Sequence, residues 1–452
     1  MKNILITLVL IVISMQVIAQ GPPSNAVNAD SLAKQIEKNS SDIAGLKRVK
    51  VSGYIQAQYQ LADSMGQPSF AGGNFASGVD NRFMIRRGRI KFQYNSAPNK
   101  KGINISEYML QFDVTERGVT IKDAVVRLTD PVTGWFSVSA GMFNNPFGYE
   151  ITYSSSRRES PERGRMSQTL FPNEREVGGM LTVQGPSKSK WNWITLHAGF
   201  FNGNSAPGFG VDVSDFDSKK DFSGRLGIER STKSDKVSYG AAVSYYAGGF
   251  RIDSVTVYKS ATDENGVKGF VIDSKAIDNG PIDIEKREFT KRNYIGADAR
   301  VSIKWKAGTT TLRGEFIAGD QPGSSSSTRS PNDKNPITRD IYQRSFNGAY
   351  FYFVQDILKT PFQLVVKYDW YDPNTDVKGD EVGKSVSASS RATGEADLRY
   401  DTYGFGLNYH FDKNIRVMAY YDFVKNETTA NLNNFNNDRP DNVFTLRLQA
   451  RF

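Results

Sequence analysis

The chain has 452 residues, of which 38% are hydrophobic and 23% charged, with no cysteine and a formal net charge of +9. Its mean hydropathy is −0.47. Past residue 20 no apolar run approaches the roughly 20 residues that a membrane-crossing helix needs, which excludes a helical membrane protein but not a barrel.

Residues 1–20 read as a secretory signal peptide. Lys2 supplies the positive start, Ile4–Ile13 is apolar except for Thr7, and Val17-Ile18-Ala19 forms a cleavage site before Gln20. An exported chain is a poor partner for nucleic acid, so the basic balance points to acidic lipid or anionic solutes. Residues 21–49 read as a periplasmic linker followed by a short amphipathic helix. There Leu32, Ile36, Ile43 and Leu46 fall on heptad core positions, with Asn39 in the polar slot between them. The bland reading is a helix lying against a larger domain. The sharper one is a coiled coil that registers three copies.

From Lys50 to Phe452 the sequence is one run of alternating strands. The last shows the pattern: Phe444, Leu446, Leu448, Ala450 and Phe452 point one way, and Thr445, Arg447, Gln449 and Arg451 the other. Sixteen such strands are predicted, at 50–61, 82–94, 103–115, 119–129, 135–143, 176–185, 191–202, 221–231, 236–248, 289–306, 308–319, 344–356, 361–372, 397–410, 414–426 and 441–452. Their connections alternate between short turns and long loops, with one tight turn at Glu116-Arg117-Gly118 among the long ones. The segment 250–275 alternates again at Val255, Val257, Val267, Phe270 and Ile272, which predicts a hairpin within the fifth long loop. Trp135, Trp191, Trp193, Trp305 and Trp370 all fall at strand ends, where a membrane interface would hold them. The pattern is that of an all-β transmembrane antiparallel barrel with a wet interior.

Parity within each strand then assigns the lumen. Arg87, Arg89, Lys91, Arg127, Arg300, Lys304, Arg313, Lys367, Arg416, Arg447 and Arg451 face inward, against Asp113, Asp123, Glu315, Asp369 and Asp422. Arg86 breaks the parity, which predicts a bulge or a position above the membrane. A charge turned to lipid at mid-depth costs about 2–4 kcal/mol, enough to enforce this assignment. The lining leans positive and predicts an electrostatic track for anions. The alternative is that its arginines pair with lumen acids and fill space.

The segments Val51-Ser52-Gly53-Tyr54-Ile55-Gln56-Ala57-Gln58-Tyr59, Phe83-Met84-Ile85-Arg86-Arg87-Gly88-Arg89-Ile90-Lys91-Phe92 and Gly141-Met142-Phe143-Asn144-Asn145-Pro146-Phe147-Gly148 resemble parts of the phosphate-selective porin O and P family. They match its first strand, its arginine-rich second strand and the end of its fifth. The resemblance implies a sixteen-stranded trimeric channel in a Gram-negative outer membrane, passing solutes without energy input. It also implies that loop 144–176 folds inward as a constriction. That loop carries Arg157, Arg158, Arg163, Arg165 and Arg175, but Glu150, Glu159, Glu162, Glu174 and Glu176 balance them. Phosphate selectivity therefore follows less readily than the channel itself. Phe452 resembles the terminal aromatic by which the outer-membrane assembly machinery recognises barrels.

The expected function is passive diffusion of small hydrophilic solutes with a lean towards anions. A non-conducting structural or partner-binding barrel is the alternative. An outer-membrane lipase or protease would need a Ser/His or Asp/His pair at one rim, and His197 and His410 lie far apart in sequence. No phosphate loop, metal-ligand spacing or nucleophile elbow is visible, so the sequence calls for no enzyme, cofactor or metal.

Overall fold

The structure, a computed structural model, describes residues 29–204, 215, 217–249, 251, 256–274, 289–329 and 340–452. The signal peptide, most of the linker and Val255 lie outside the described residues. The chain divides into two units, one ending at Val49 and the other running from Lys50 to Phe452. In the first, α1 spans Ala29–Leu46, with Asp30 in its first turn, where a negative charge suits the helix dipole. Leu32, Ile36, Ile43 and Leu46 form an exposed stripe along it.

The second unit is a closed antiparallel barrel. Its strands are β1 (Val49–Ala62), β2 (Asn81–Asn95), β3 (Ser106–Thr115), β4 (Gly118–Thr129), β5 (Phe136–Asn144), β6 (Arg175–Gln184), β7 (Ile194–Phe201), β8 (Asp221–Ser231) and β9 (Val237–Gly248), followed by β12 (Arg292–Trp305), β13 (Gly308–Gly323), β14 (Ile341–Asp356), β15 (Phe362–Asp372), β16 (Tyr400–His410), β17 (Ile415–Asn426) and β18 (Val443–Arg451). Each pairs with its neighbour, β9 pairs directly with β12, and β18 returns to β1, giving sixteen strands without an edge. The seam is closed at its end by Phe452 N to Gly53 O at 3.0 Å and Gly53 N to Phe452 O at 3.2 Å. The two remaining strands, β10 (Val257–Thr262) and β11 (Lys268–Ser274), form the hairpin in the fifth long loop. Its strand β10 pairs in parallel with the start of β14, with Val257 opposite Ile341.

The strand boundaries follow the alternation closely, and the differences have local causes. Predicted to begin at 103, β3 begins at Ser106, because Asn99 turns the chain and accepts from the N–H groups of Lys101 and Ile103. Likewise β7 begins at Ile194 rather than 191, because Pro186–Asn192 makes successive turns.

The barrel is inside out relative to a soluble β-protein. Ile55, Phe92, Leu110, Leu181, Phe316, Phe351, Leu407 and Leu448 are exposed on the outer surface, while Gln56, Gln58, Gln60, Asp113, Arg313, Asn408 and Arg447 are buried inside. The four tryptophans Trp135, Trp191, Trp193 and Trp305 sit at the short-turn end, and Trp370 sits at the long-loop end. Placing Arg at Leu407, on the outer face of β16, is expected to cost about 2–4 kcal/mol in a denaturant titration of protein refolded into vesicles. An unchanged midpoint would mean that this face does not meet hydrocarbon.

Candidate functional site

The segment between β5 and β6, residues 145–174, docks on inward-facing side chains from both sides of the ring. It leaves β5 through Pro146-Phe147-Gly148. Gly148 has φ +62°, and a Cβ there would collide with Glu315, so only glycine turns the chain here. The carboxylate of Glu315 on β13 accepts from the backbone N–H of Tyr149 at 3.1 Å and of Glu150 at 3.0 Å. The side chain of Glu150 in turn accepts from Gly164 N at 3.0 and 3.1 Å, tying the two ends of the loop together.

Apolar residues hold one side of the loop. Phe147, Ile151, Phe171 and two residues of the short helix α2 (Arg165–Leu170), Met166 and Leu170, pack against inward-facing Tyr246, Tyr294, Ile317, Phe346, Tyr350 and Tyr352. Burying each such side chain is worth about 1.5–3 kcal/mol. Buried Arg292 on β12 locks this cluster. Its guanidinium donates to Leu170 O, the end of α2, at 3.2 Å and to Tyr246 at 2.7 Å, and pairs with Asp221 at 3.3 Å.

Polar side chains hold the rest. Five consecutive or nearly consecutive loop carbonyls accept from the wall formed by β1 and β16–β18. Gln56 donates to Ser155 O at 3.1 Å, Gln449 to Ser156 O at 3.0 Å, Arg416 to Arg158 O at 2.6 Å, Asn408 to Glu159 O at 3.2 Å and Arg447 to Pro161 O at 2.6 Å. From further round the ring Arg313 on β13 donates to the Glu159 carboxylate at 3.1 Å, and Tyr352 on β14 meets Ser160 at 2.7 Å.

The centre of the charged side is Glu162. Its carboxylate pairs with Arg86 at 2.9 Å, Arg87 at 2.7 Å and Arg447 at 2.9 Å. Burial opposes its ionisation, but the three guanidiniums outweigh burial and hold the carboxyl well below the usual carboxylate range. Both Arg86 and Arg87 reach one acid because the inside–outside alternation of β2 slips by one residue. Phe83 and Ile85 are exposed before the slip, Ile90 and Phe92 after it. Gly88 sits at the slip, where a Cβ would strike Val114 O of β3, and its N–H donates to Asp113 at 3.0 Å.

A second slip lies in β4. Gln111 opposes Asp123 while Phe112 opposes Ile121, so Lys122 is the extra residue of a bulge. It is partly exposed, stands in the field of Arg89, Arg175, Glu174 and Asp113, and forms no ion pair among the described residues. Parity read as uninterrupted missed Lys122. The signal was present, because the outward series changes from Val119 and Ile121 to Val126 and Leu128.

The other predicted residues divide into groups. Arg89 pairs with Asp113 at 3.2 Å, and Arg175 with Asp123 at 3.3 Å and with Glu174. Arg163 pairs with Glu174 at 3.1 Å. Lys91, half-buried, makes no ion pair among the described residues. Arg158 is 2% exposed, with Nε and Nη1 lacking a hydrogen-bond partner among the described residues. Arg165 stacks between Phe70 and Tyr400, and Arg157 is exposed. On the far wall Arg300 pairs with Glu229 at 2.6 Å and lies over Tyr149, and Arg313 is committed to Glu159. Arg127 and Lys304 are exposed towards the short-turn end and stand apart from the loop contacts. His197 on β7 meets Thr182 at 3.0 Å, and His410 lies on β16, well separated in strand order.

Around Glu162 and Glu174, then, stand Arg86, Arg87, Arg89, Lys122, Arg158, Arg163, Arg175 and Arg447, and the acids paired within this group are those two glutamates with Asp113 and Asp123. Positive charge is in excess on the side of β1–β6 and β18.

No protein-family model matches the chain, and no curated protein does. Solved structures do. One is an anion-selective porin from Comamonas acidovorans, at 9% identity over 89% of this chain and 99% of that one, with a TM-score of 0.49. Another is the outer membrane channel DcaP of Acinetobacter baumannii, at 12% identity over 89% and 97%, with a TM-score of 0.49. A third is the trimer form of OmpT, an outer membrane protein of Vibrio cholerae, at 9% identity over 89% and 99%, with a TM-score of 0.46. With every score below 0.5, the reading of the site rests on its own geometry.

The depressed Glu162 carboxyl fixes the pH behaviour of the loop. Its ion pairs are complete above 4.5, the usual glutamate value, and are lost only as pH falls through the lower folded value. Hydrogen-exchange protection of the loop amides is therefore expected to persist as pH falls through 4.5, and Glu162→Gln is expected to lose much of it already at neutral pH. Equal protection in the variant would show that the five carbonyl contacts hold the loop alone.

Proposed function

We propose that the barrel is an outer-membrane porin, passing small hydrophilic solutes by diffusion with a lean towards anions. The observation that carries this reading is the excess of lumen cations over paired acids beside the inward-docked loop. A low-dielectric wall focuses that excess into the lumen. Lys91 and Lys122, free of ion pairs among the described residues, would present the most accessible positive field, with Arg86 beside them at 27% side-chain exposure. Arg87 and Arg89 contribute through the net charge of their clusters. Phosphate is one anion such a track would take.

The membrane setting is supported by the apolar outer surface of a ring that has no free edge. In this reading the long loops face outward, the short turns and α1 are periplasmic, and loop 145–174 narrows the aperture. Three copies would assemble side by side, and Phe452, with its ring 68% exposed, would present the terminal aromatic to the assembly machinery.

A reversal potential across a salt gradient in a planar bilayer tests both conduction and sign. Anions are expected to permeate better. Changing Lys91 and Lys122 to Glu is expected to shift the ratio towards cations more than changing Arg89 alone, most clearly at low salt. An unmoved ratio in a folded variant would place the track elsewhere, and no current at all would favour a structural or partner-binding barrel. Deleting residues 154–170 is expected to raise single-channel conductance if the loop narrows the path; unchanged conductance would mean it does not.

A further inference from the structure

On the outside of the barrel, the short turns joining β6 to β7, β8 to β9 and β12 to β13 lie side by side, because β6–β9, β12 and β13 are consecutive in the ring. These turns and the adjoining end of β8 present Lys188, Lys190, Arg230, Lys233, Lys236 and Lys306, all exposed and none in an ion pair among the described residues. Asp235 is the one acid within the turns, and Glu229, just inside them, pairs with Arg300 at 2.6 Å. Lys304 is turned by its parity to the lumen side. Six cations on this arc therefore stand against the single charge of Asp235.

Aromatic rings stand beside these charges. Trp191 stacks on Trp193 with centroids 5.9 Å apart, Arg230 lies over Trp193 at 4.6 Å, and Trp305 donates from Nε1 to Thr310 at 2.7 Å. Tryptophan at the end of a membrane strand marks the level of the lipid headgroups. Deeper in, the lipid-facing wall is not flush. Ala297 and Ala299 of β12 floor a groove of about 730 Å³, flanked by Leu312 and Phe316 of β13 and by Phe351 and Phe353 of β14. Ala299 pairs with Gly314, so this pair has one Cβ between its two residues. The groove begins at Val301, four residues from Trp305, or about 13 Å along the strand.

We propose that this arc is a binding site for an anionic phospholipid of the leaflet on the short-turn side, with its phosphodiester among the turn cations and one acyl chain in the groove. The two halves lie in the order that one molecule requires, charge at the tryptophan level and an apolar trough deeper along the same strands. A neutral lipid would fill the groove equally well but would leave the cations with Asp235 alone, so charge selects the occupant. Lysine, a point charge on a flexible stem, suits a headgroup that shifts within the membrane plane. Each cation near an anionic lipid strengthens binding about fivefold. The site rests on the membrane setting of the barrel and not on conduction or ion selectivity, so occupancy is measured apart from current.

The probe is phosphatidylglycerol brominated near the glycerol end of its acyl chains, which quenches tryptophans that it touches; brominated phosphatidylcholine is the neutral counterpart. The full chain carries Trp135→Phe and Trp370→Phe, which leaves Trp191, Trp193 and Trp305 as reporters. It is refolded into phosphatidylcholine vesicles containing a small fraction of either probe, at low salt, with folding of each variant checked by heat-modifiable gel mobility. Phosphatidylglycerol is expected to be favoured by about fivefold or more, the scale of at least one engaged cation. Lys233→Gln, Lys236→Gln and Lys306→Gln together are expected to remove most of that preference. Ala299→Phe keeps the face apolar but fills the groove, and is expected to roughly halve the preference as contacts with the chain are lost. Lys100→Gln, Lys101→Gln and Lys413→Gln remove three charges from other short turns and are expected to leave it as it was. Equal quenching by the two lipids in the reporter chain overturns the proposal. So does an undiminished preference in the Lys233/Lys236/Lys306 variant or in Ala299→Phe, and so does an equal loss in the Lys100/Lys101/Lys413 variant, which would reduce the effect to the overall charge of that rim.

Discussion

Every backbone N–H and C=O that faces hydrocarbon must find its partner within the protein. Pairing β18 with β1 meets that demand by removing the last edge. Much else follows from closure. With no edge to protect, the outer surface can be uniformly apolar, and the polar half of every strand is turned onto one enclosed space. That space then has to satisfy the irregular backbone of loop 145–174. Gln56, Asn408, Arg416, Arg447 and Gln449 do so by donating to its carbonyls. Gln56, Asn408 and Gln449 therefore serve a specific purpose here: each is a donor for a segment that cannot form a ladder of its own.

The loop divides the interior into two chemistries. Towards β9–β17 it meets tyrosine and phenylalanine rings, and towards β1–β6 and β18 it meets guanidiniums. Aromatic contacts supply most of the adhesion. The buried ion pairs are weak sources of net stability, because desolvation offsets much of the attraction, but a mispaired arrangement would leave a charge buried alone. Division of labour follows: the rings hold the loop down, and Glu162 fixes which loop residue sits at which height.

The strand count and most boundaries could be read from period-two alternation because the membrane enforces it. Thus β8 was predicted at 221–231 and spans Asp221–Ser231. What the alternation could not supply was the partner of each inward charge. Arg87 and Glu162 are 75 positions apart, and Arg447 and Glu162 are 285 apart. No local pattern links residues at such distances. The bulge at Lys122 was legible in principle, as a change from odd to even outward positions, but it was hidden by treating β4 as regular. The aromatic half of the lumen was also open to parity, since Tyr246 and Tyr294 lie on inward positions. Only the arrival of Phe147 and Phe171 edge-on against that stacked pair gives those rings their role.

A cylinder of paired strands deforms most easily by flattening into an oval, because its hydrogen bonds resist stretch better than bending. The segment Ser155–Glu162 braces one arc of that ring, from β13 and β14 to β18 and β1. Both its ends are fastened to β18, by Gln449 at Ser156 and Arg447 at Pro161, and its middle to β13 and β14, by Arg313 at Glu159 and Tyr352 at Ser160. It therefore acts as an internal tie, and the shape of the barrel and the position of the loop form one mechanical variable. A force that deforms the wall is transmitted to the loop through the same few hydrogen bonds that fix it.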